Sequence, residues 1–175
     1  MLEVLRSIVQ DVNAAESLND ALDLIVRRVR IAMGTEVCSV YMRGPVGNQF
    51  VLSATEGLNV DQVGLASLES GEGLVGLVAE RGEPLNLDDA ESHPSFQLVP
   101  GLGEEQFHSF LGVPIIHRRD VLGVLVVQQR DARRFDDSEE AFLVTMSAQL
   151  AAVIAHAKVT GAIQIEQQTG TAKAA

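Results

Sequence analysis

The sequence predicts an α+β fold in which a central antiparallel sheet carries the terminal helices on one face. Three observations lead to this prediction: helical periodicity opens and closes the chain, the strand-like segments between come in hairpin pairs, and an irregular segment separates the pairs. Hairpins build antiparallel sheets, and helices at both ends of the chain can cover one face. We therefore expect the irregular segment, residues 56–106, to cover the other face as a lid over a ligand pocket.

Composition limits the possible functions. The chain has 175 residues, of which 46% are hydrophobic and 21% charged, as expected for one globular domain with its own core. A formal net charge of -11 argues against nucleic-acid binding, which needs clustered positive charge. The lone cysteine, Cys38, excludes a disulfide framework and a cysteine-rich metal site. The sequence shows no long apolar run and no signal-peptide pattern, so we expect a cytoplasmic protein without a membrane span.

The two opening helices are amphipathic. Apolar residues recur at helical spacing from Leu2 to Val12, and again in a second helix for which Ser17 is the predicted N-cap. Gly34 is its predicted end, because glycine readily adopts the left-handed conformation that closes a helix. The apolar faces of the first and last helices exceed what one sheet can cover, which predicts a homodimer formed through these two helices.

Two hairpins follow from the strand patterns. Residues 36–43 and 49–55 are rich in β-formers and flank a glycine–proline turn, and residues 107–116 and 121–128 flank a turn at His117–Asp120. The segment 121–128 is apolar almost throughout, so we expect it to lie centrally in the sheet with both faces covered.

The last predicted helix begins at Asp137 or Ser138, with Glu140 three residues after Asp137 as in a capping box. Residues 1–160 are expected to form the domain. The small and polar residues 161–175 predict a flexible tail or the start of a linker.

The lid contains a short apolar segment at 74–79, which predicts a two-turn helix, and a possible brief strand at 85–87. Residues 83–106 carry six acidic residues and no lysine or arginine. Long loops in compact domains are often binding loops.

A glycine motif opens the lid helix. Gly71, Gly73 and Gly76 match the GxGxxG pattern of dinucleotide-binding proteins. That site needs a parallel sheet and a full crossover helix, neither of which the pattern here supports, so a glycine-rich helix entry is the preferred interpretation. The free N–H groups of a helix start would still favour an anionic ligand group.

Strand alternation assigns faces in the first strand. Cys38 is expected to face the helices as a core residue together with Val40 and Met42, rather than to act as a reactive thiol. Ser39 and Tyr41 then face the lid, where buried polar groups need hydrogen-bond partners from a ligand or from water.

The remaining charged groups indicate no catalytic site. Asp88, Asp89, Glu91 and His93 could be metal ligands, but their spacing matches no known metal loop, and a solvated acidic loop is preferred. We predict no metal, no cofactor and no catalytic residue. A group of arginines near the second hairpin is expected to be solvated or salt-bridged, with docking of an acidic partner domain as the alternative: Arg118, Arg119, Arg130, Arg133 and Arg134.

Several of these segments together resemble a GAF domain. They are EGLVGLVAERGEPLNLDDAESHPSF (72–96), SFLGVPIIHRRDVLGVLVVQQR (109–130) and the closing helix RRFDDSEEAFLVTMSAQLAAVIAHA (133–157). More narrowly, TEVCSVY (35–41) and HPSF (93–96) are similar to the N-terminal GAF domains of the nitrogen-related branch of bacterial phosphoenolpyruvate–protein phosphotransferases.

This resemblance implies a sensory domain and not an enzyme. In the branch it resembles, the GAF domain is associated with glutamine, which restrains self-phosphorylation of the catalytic part that lies C-terminal to it. The implied partners are therefore a small metabolite and the downstream phosphotransferase domains. The alternative is a structural module that has no ligand and only dimerises or docks.

Glutamine offers a carboxylate, an ammonium group and an amide. We expect the helix start near Gly73 to receive the carboxylate, and Asp88 or Asp89 to receive the ammonium group. The candidate partners for the amide are Ser39, Tyr41, Thr55 and Ser109. Phe96 and Phe110 are the candidate apolar walls.

Overall fold

A six-stranded antiparallel sheet organises the part of the chain that the structure, a computed structural model, describes: residues 2–173, with side chains as far as Thr160. The strand order is β3-β2-β1-β6-β5-β4. The strands are β1 (Val37–Arg43), β2 (Gln49–Glu56), β3 (Ser67–Glu69), β4 (Leu85–Leu87), β5 (Ser109–His117) and β6 (Asp120–Gln129). The helices are α1 (Leu2–Asn13), α2 (Leu18–Met33), α3 (Gly73–Arg81) and α4 (Asp137–Lys173), with single 3-10 turns at Val60–Gln62 and Ala90–Ser92.

Two apolar layers lie on opposite faces of this sheet. Helices α1, α2 and α4 pack on one face, here called the helix face, and α3 with the rest of the lid packs on the other, the lid face. Strand β6 lies between β1 and β5, and its residues from Leu122 to Gln129 are all buried. The predicted fold class and the central position of β6 are confirmed.

Both predicted caps of α2 are confirmed. The Ser17 hydroxyl accepts a hydrogen bond from the backbone N–H of Asp20 at 3.1 Å. Gly34 has φ 66°, and its N–H bonds to the last carbonyls of the helix. These local bonds explain why the helix boundaries could be predicted from residue types alone.

The predicted cap of α4 at Asp137 or Ser138 is wrong by one or two residues. The Asp136 carboxylate accepts the Glu139 N–H at 2.8 Å, and the Glu139 carboxylate accepts the Asp136 N–H at 3.0 Å. This reciprocal capping box has the same spacing as the pair Asp137 and Glu140, so the sequence alone could not choose between them. The Arg133 guanidinium, at 2.8 and 2.9 Å from the two oxygens of Glu139, selects the earlier pair.

The edges of the sheet were harder to predict. Strand β4 (Leu85–Leu87) is confirmed, whereas β3 (Ser67–Glu69) is not expected from the sequence, because three residues are too few to show an alternating pattern. Helix α4 is assigned as far as Lys173. The side chains of 161–175 lie outside the described residues, so the tail or linker over this range stays a prediction.

The Asp137–Thr160 stretch of α4 is long and apolar enough to cross a membrane, by length and composition only. The sequence has no uninterrupted apolar run of this length, because polar residues are interspersed along the stretch. Met146, Leu150 and Ile154 of this stretch belong to the helix-face core beneath β5.

The predicted arginine group is divided by the structure. Arg118 and Arg119 form the β5–β6 turn, whereas Arg130 and Arg133 lie beyond the other end of β6, about 33 Å away at 3.3 Å per residue. Arg130 pairs with Glu36 at 3.4 Å, and Arg133 pairs with Glu139. The arginines therefore form no single patch.

The β5–β6 turn provides a test of backbone strain. Arg118 and Arg119 have φ of 49° and 71°, the positive values of a type I′ hairpin turn, for which Asn-Gly is the preferred pair. Replacing both (Arg118→Asn with Arg119→Gly) should raise the free energy of unfolding in urea by about 1–2 kcal/mol, because a left-handed non-glycine residue costs about that much.

Lysine at both positions is the matched control, since it keeps the charge and the strain and should leave stability unchanged. An Asn-Gly variant no more stable than the parent would show that the turn is not strained.

Candidate ligand-binding site

Polar side chains from the central strands converge on the lid face. The hydroxyls of Ser39 on β1 and Thr55 on β2 are 2.8 Å apart and buried. Tyr41 on β1 and Gln128 on β6 lie on the same face, and both are almost fully buried. These four residues, here called the polar floor, place hydrogen-bonding groups inside an otherwise apolar layer.

Strand register brings the polar floor together. Ser39 is paired with Thr55 on one side and with Val126 on the other, so alternate residues of β1, β2 and β6 face the lid. The register of β1 and β2 shifts between Val40 and Tyr41, which leaves Ser53 as an extra residue in β2. This bulge keeps Tyr41 on the lid face opposite Leu52.

The lid is anchored to the sheet by large apolar residues. Leu102 is fully buried, and Phe107, which directly follows the lid, is nearly so. Both pack with Tyr41 and Phe110 in the lid-face core. The described conformation is therefore closed, with side chains of this chain filling the space above the sheet.

Glu104 lies between these two anchors in the chain and is half-buried. Its burial raises the pKa of the carboxyl from 4.5 to about 7, and neighbouring Glu105 adds to the rise. Interactions with the Gln128 side chain and the Val99 backbone oppose that rise without cancelling it. Glu104 thus contributes a carboxyl that is close to half-ionised at neutral pH, next to the polar floor.

Two residues of β1 also have raised pKa values, and burial is the main cause in both. Desolvation raises the pKa of the Tyr41 hydroxyl far above its usual value, and the nearby charge of Glu104 raises it further. Desolvation likewise raises the pKa of the Cys38 thiol, which is buried in the helix-face core with Val40. The thiol therefore stays protonated, and the predicted core role of Cys38 is the one the structure favours.

The structure places four of the predicted ligand residues together on the lid face. Ser39, Tyr41 and Thr55 belong to the polar floor, and the buried Phe110 ring lies across from Gln128 on β5. Their position follows from strand alternation, which was readable in the sequence.

Gly73 and Phe96 line an open cleft of about 520 Å³ at the start of α3, and Phe96 also packs against the lid-face core. The Glu72 carboxylate stands at the start of α3, where it accepts hydrogen bonds from the Glu69 N–H at 2.9 Å and from Gln97 at 3.0 Å. These bonds lower the pKa of Glu72, so it is ionised. Its negative charge disfavours the ligand carboxylate expected near Gly73.

Asp88 and Asp89 are exposed. They follow the edge strand β4, and the backbone carbonyl of Asp89 accepts a hydrogen bond from the Ser92 hydroxyl at 3.1 Å. A ligand ammonium held by either carboxylate would compete with bulk water, and such exposed pairs contribute little.

Ser109 lies on the opposite face of the sheet from the polar floor. It precedes Phe110, and adjacent strand residues point to opposite faces, so the two residues could not both line the pocket. The Ser109 hydroxyl bonds to the backbone of Asp131 and Arg133, where it holds the segment leading to α4. The amide-binding role expected for Ser109 has no support in this placement.

Glu104 and Gln128 were missed by sequence reasoning. Gln128 had a usable signal, since it is a polar residue at a lid-facing position of an otherwise apolar central strand. Glu104 had none, because six acidic residues share its stretch of the lid. Across the described residues, no three histidine, cysteine or acidic side chains group closely enough to hold a metal ion.

The glycine motif has a packing role. Within residues 2–173 all strand pairs are antiparallel, whereas a dinucleotide site requires a parallel sheet. A Cβ atom at Gly76 would stand 2.2 Å from the backbone oxygen of Glu69. Gly76 therefore lets α3 pack closely against the turn that precedes it.

An antiparallel sheet with helices on one face and a lid over a buried polar floor on the other is the arrangement of a GAF domain. The GAF domain family matches residues 17–154, and the chain belongs to this family.

Two related bacterial proteins that this chain resembles share one name. The chain is 48% identical over 169 residues to proteins of Salmonella typhimurium and Escherichia coli named phosphoenolpyruvate-dependent phosphotransferase system. The alignment covers 97% of this chain and 23% of those proteins, so the chain spans about a quarter of their length.

Two similar solved structures are also GAF domains of phosphotransferases. The GAF domain of a Coxiella burnetii phosphoenolpyruvate-protein phosphotransferase is 50% identical with a TM-score of 0.87, covering 92% of this chain and 96% of that one. The corresponding Acinetobacter domain is 46% identical with a TM-score of 0.83, covering 91% and 96%. A free methionine-R-sulfoxide reductase from Neisseria meningitidis, 18% identical with a TM-score of 0.79 and 90% coverage of each chain, shares the fold.

Gly76→Ala should destabilise the domain by about 1–3 kcal/mol, because a methyl group would collide with a backbone oxygen that cannot easily move. Urea unfolding measures the loss. Gly44→Ala is the matched control, since its Cβ would meet its nearest atoms at 3.6 Å, an ordinary contact. Equal stability of the two variants would contradict the packing role.

Glu104→Gln should change how stability depends on pH. The folded pKa of about 7 lies above the unfolded value of 4.5, so the folded protein holds the proton more tightly, and stability is lost as pH rises from about 4.5 to above 7. The variant should therefore unfold several degrees higher than the parent at pH 8, and at nearly the same temperature at pH 4.5. Equal differences at both pH values would contradict a raised pKa.

Proposed function

We propose that this domain binds a small polar metabolite beneath the lid, with glutamine as the favoured ligand, and that binding controls phosphoenolpyruvate-dependent autophosphorylation in a longer protein. The observation that carries the proposal is the polar floor. Ser39, Tyr41, Thr55 and Gln128 place polar atoms in a buried apolar layer, and the Glu104 carboxyl lies above them.

Buried polar groups are costly unless they are paired. A buried donor or acceptor without a partner costs about 1–3 kcal/mol, and a buried charge costs more. Ser39 and Thr55 satisfy each other in part, but a hydroxyl also accepts further hydrogen bonds. Glutamine carries an amide, an ammonium group and a carboxylate, and could pair with several of these groups at once.

Ligand entry requires the lid to move, because Leu102 and Phe107 fill the space above the polar floor. A ligand that binds an opened or rearranged lid more tightly shifts the population toward that arrangement. An activity that depends on one arrangement then changes with the population of that arrangement.

Helix α4 is the proposed output element. Residues such as Met146 and Leu150 pack against the helix face beneath β5, which carries Phe110 on its other face. A displacement of β5 by the ligand would thus reach α4. In the longer relatives the catalytic activity would be the quantity controlled, and a cytoplasmic location fits such an enzyme.

A second candidate function is dimerisation or docking without a ligand. Leu2 on α1 is 81% exposed and Ile31 on α2 is 65% exposed, which leaves apolar surface uncovered on the helix side. Leu2 and Leu5 border a groove against Ala141 and Phe142 of α4. We infer that α1 and α4 form a homodimer contact, whether or not the lid face binds a ligand.

Thermal unfolding in the presence of millimolar glutamine tests the proposal, with 2-oxoglutarate and cyclic GMP as comparison ligands. At a hundred times its dissociation constant a ligand stabilises by about 2.7 kcal/mol, or roughly 5–10 °C for a domain of this size. We expect this shift with glutamine only, and a smaller one in Ser39→Ala with Thr55→Val.

Ser53→Ala is the matched control, because the Ser53 hydroxyl bonds to the Val51 carbonyl at 2.9 Å outside the polar floor. No shift with any ligand in a folded sample would support the dimerisation module instead. A shift unaffected by the double substitution would place the ligand elsewhere.

A further inference from the structure

Asn86 is the middle residue of the lid strand β4, and its side chain points away from the lid. Its pairing partner on β5 is Leu111, which belongs to the helix-face core. The flanking residues Leu85 and Leu87 pack instead against the lid-face core. Because opposed residues share a face and successive residues alternate, the Asn86 side chain lies on the helix face. One strand of the lid therefore reaches the other side of the sheet.

On the helix face the Asn86 amide meets the backbone of Phe135. Its Nδ2 donates to the Phe135 carbonyl at 2.8 Å, and its Oδ1 accepts from the Phe135 N–H at 3.1 Å. The Phe135 ring is buried in the helix-face core. One side chain thus satisfies both backbone groups of a buried residue, as a neighbouring strand would.

Phe135 directly precedes the N-cap of α4. Asp136, the next residue, forms the reciprocal capping box with Glu139. The Arg133 guanidinium binds Glu139 and also lies 5.0 Å from the centre of the Phe135 ring. Because the peptide unit between Phe135 and Asp136 is planar, a shift of the Phe135 carbonyl turns the Asp136 N–H away from the Glu139 carboxylate. The order of the first turn of α4 therefore depends on how firmly Asn86 holds Phe135.

The connection from β6 to α4 is held at two places. Ser109 of β5 bonds to the backbone of Asp131 and Arg133, at its beginning, whereas Asn86 holds Phe135 beside the cap. Ser109 belongs to a strand inside the sheet and Asn86 to the lid. A movement of the lid would therefore release the end of the connection that adjoins α4 and leave its beginning in place.

We propose that Asn86 is a positioning residue that couples the lid to α4: when β4 separates from β5, Phe135 loses both hydrogen-bond partners and the first turn of α4 unwinds. The lid strand and the start of the helix then open as one unit. The inference rests on the proposed function in one respect, since a ligand that moves the lid would act on α4 by this route. The route needs no displacement of β5.

A double-mutant cycle followed by hydrogen–deuterium exchange tests the coupling, with no ligand present. Asn86→Ala should raise exchange in the first turn of α4 about tenfold, because part-buried backbone groups lose their partners. Leu87→Ala loosens β4 through its lid-face side chain, and should raise exchange both in β4 and in the first turn of α4. In the Asn86→Ala background, Leu87→Ala should raise exchange in β4 only, since the link to α4 is already broken.

Asn59→Ala is the matched control. Asn59 donates to the Gly101 carbonyl at 2.9 Å and accepts from the Asp61 N–H at 3.1 Å, so it also makes two hydrogen bonds to backbone, but both partners lie in the lid. Its loss should raise exchange within the lid and leave the first turn of α4 like the parent. Asn86→Asp is a milder second variant, which still accepts from the Phe135 N–H but cannot donate when ionised, and should raise exchange at the same turn by a smaller factor.

Circular dichroism establishes that each variant is folded. An effect of Leu87→Ala on α4 that is equal with and without Asn86 would overturn the coupling. So would a first turn of α4 that neither Asn86 variant changes, or one that Asn59→Ala loosens equally. These results do not depend on glutamine. Failure of glutamine to shift thermal unfolding would overturn the proposed ligand and leave the link between the lid and α4 standing.

Discussion

The burial of β6 on both faces is the constraint on which the rest of the structure depends. From Leu122 to Gln129 every residue of this strand is buried, and alternate side chains point to opposite sides of the sheet. Helices α1, α2 and α4 exclude water from one side, so the lid must exclude it from the other. The lid is therefore part of the hydrophobic core and not a surface addition, and moving it exposes apolar surface.

Burying the polar floor within this apolar layer costs desolvation free energy, which apolar side chains at the same positions would not cost. The Ser39–Thr55 pair shows how the chain satisfies some of its buried groups internally. The Glu104 carboxyl interacts with the Gln128 side chain and with the Val99 backbone.

The glycine motif in the lid shows that one sequence pattern can have different structural causes. The glycine motif at the start of α3 looks like an anion site in the sequence, yet Gly76 is needed for close packing and the Glu72 carboxylate stands beside the helix start. Electrostatics at a helix end depend on which side chains fold back onto it, and this one is negative. The polar floor lies on the sheet, beneath the inner side of the lid.

The features that the sequence determined by itself were periodic or local. They are the caps of α2, the central position of β6 and the resemblance to GAF domains. Strand alternation likewise assigned Cys38 to one face of the sheet and Ser39 and Tyr41 to the other. These signals depend on neighbours a few residues away. Only the tertiary structure decided that Glu104 is half-buried while Asp88 and Asp89 are exposed, and that Ser109 faces away from the polar floor. Acidic residues in one loop look alike in sequence, because burial and pKa are set by groups distant along the chain, such as Gln128 beneath Glu104.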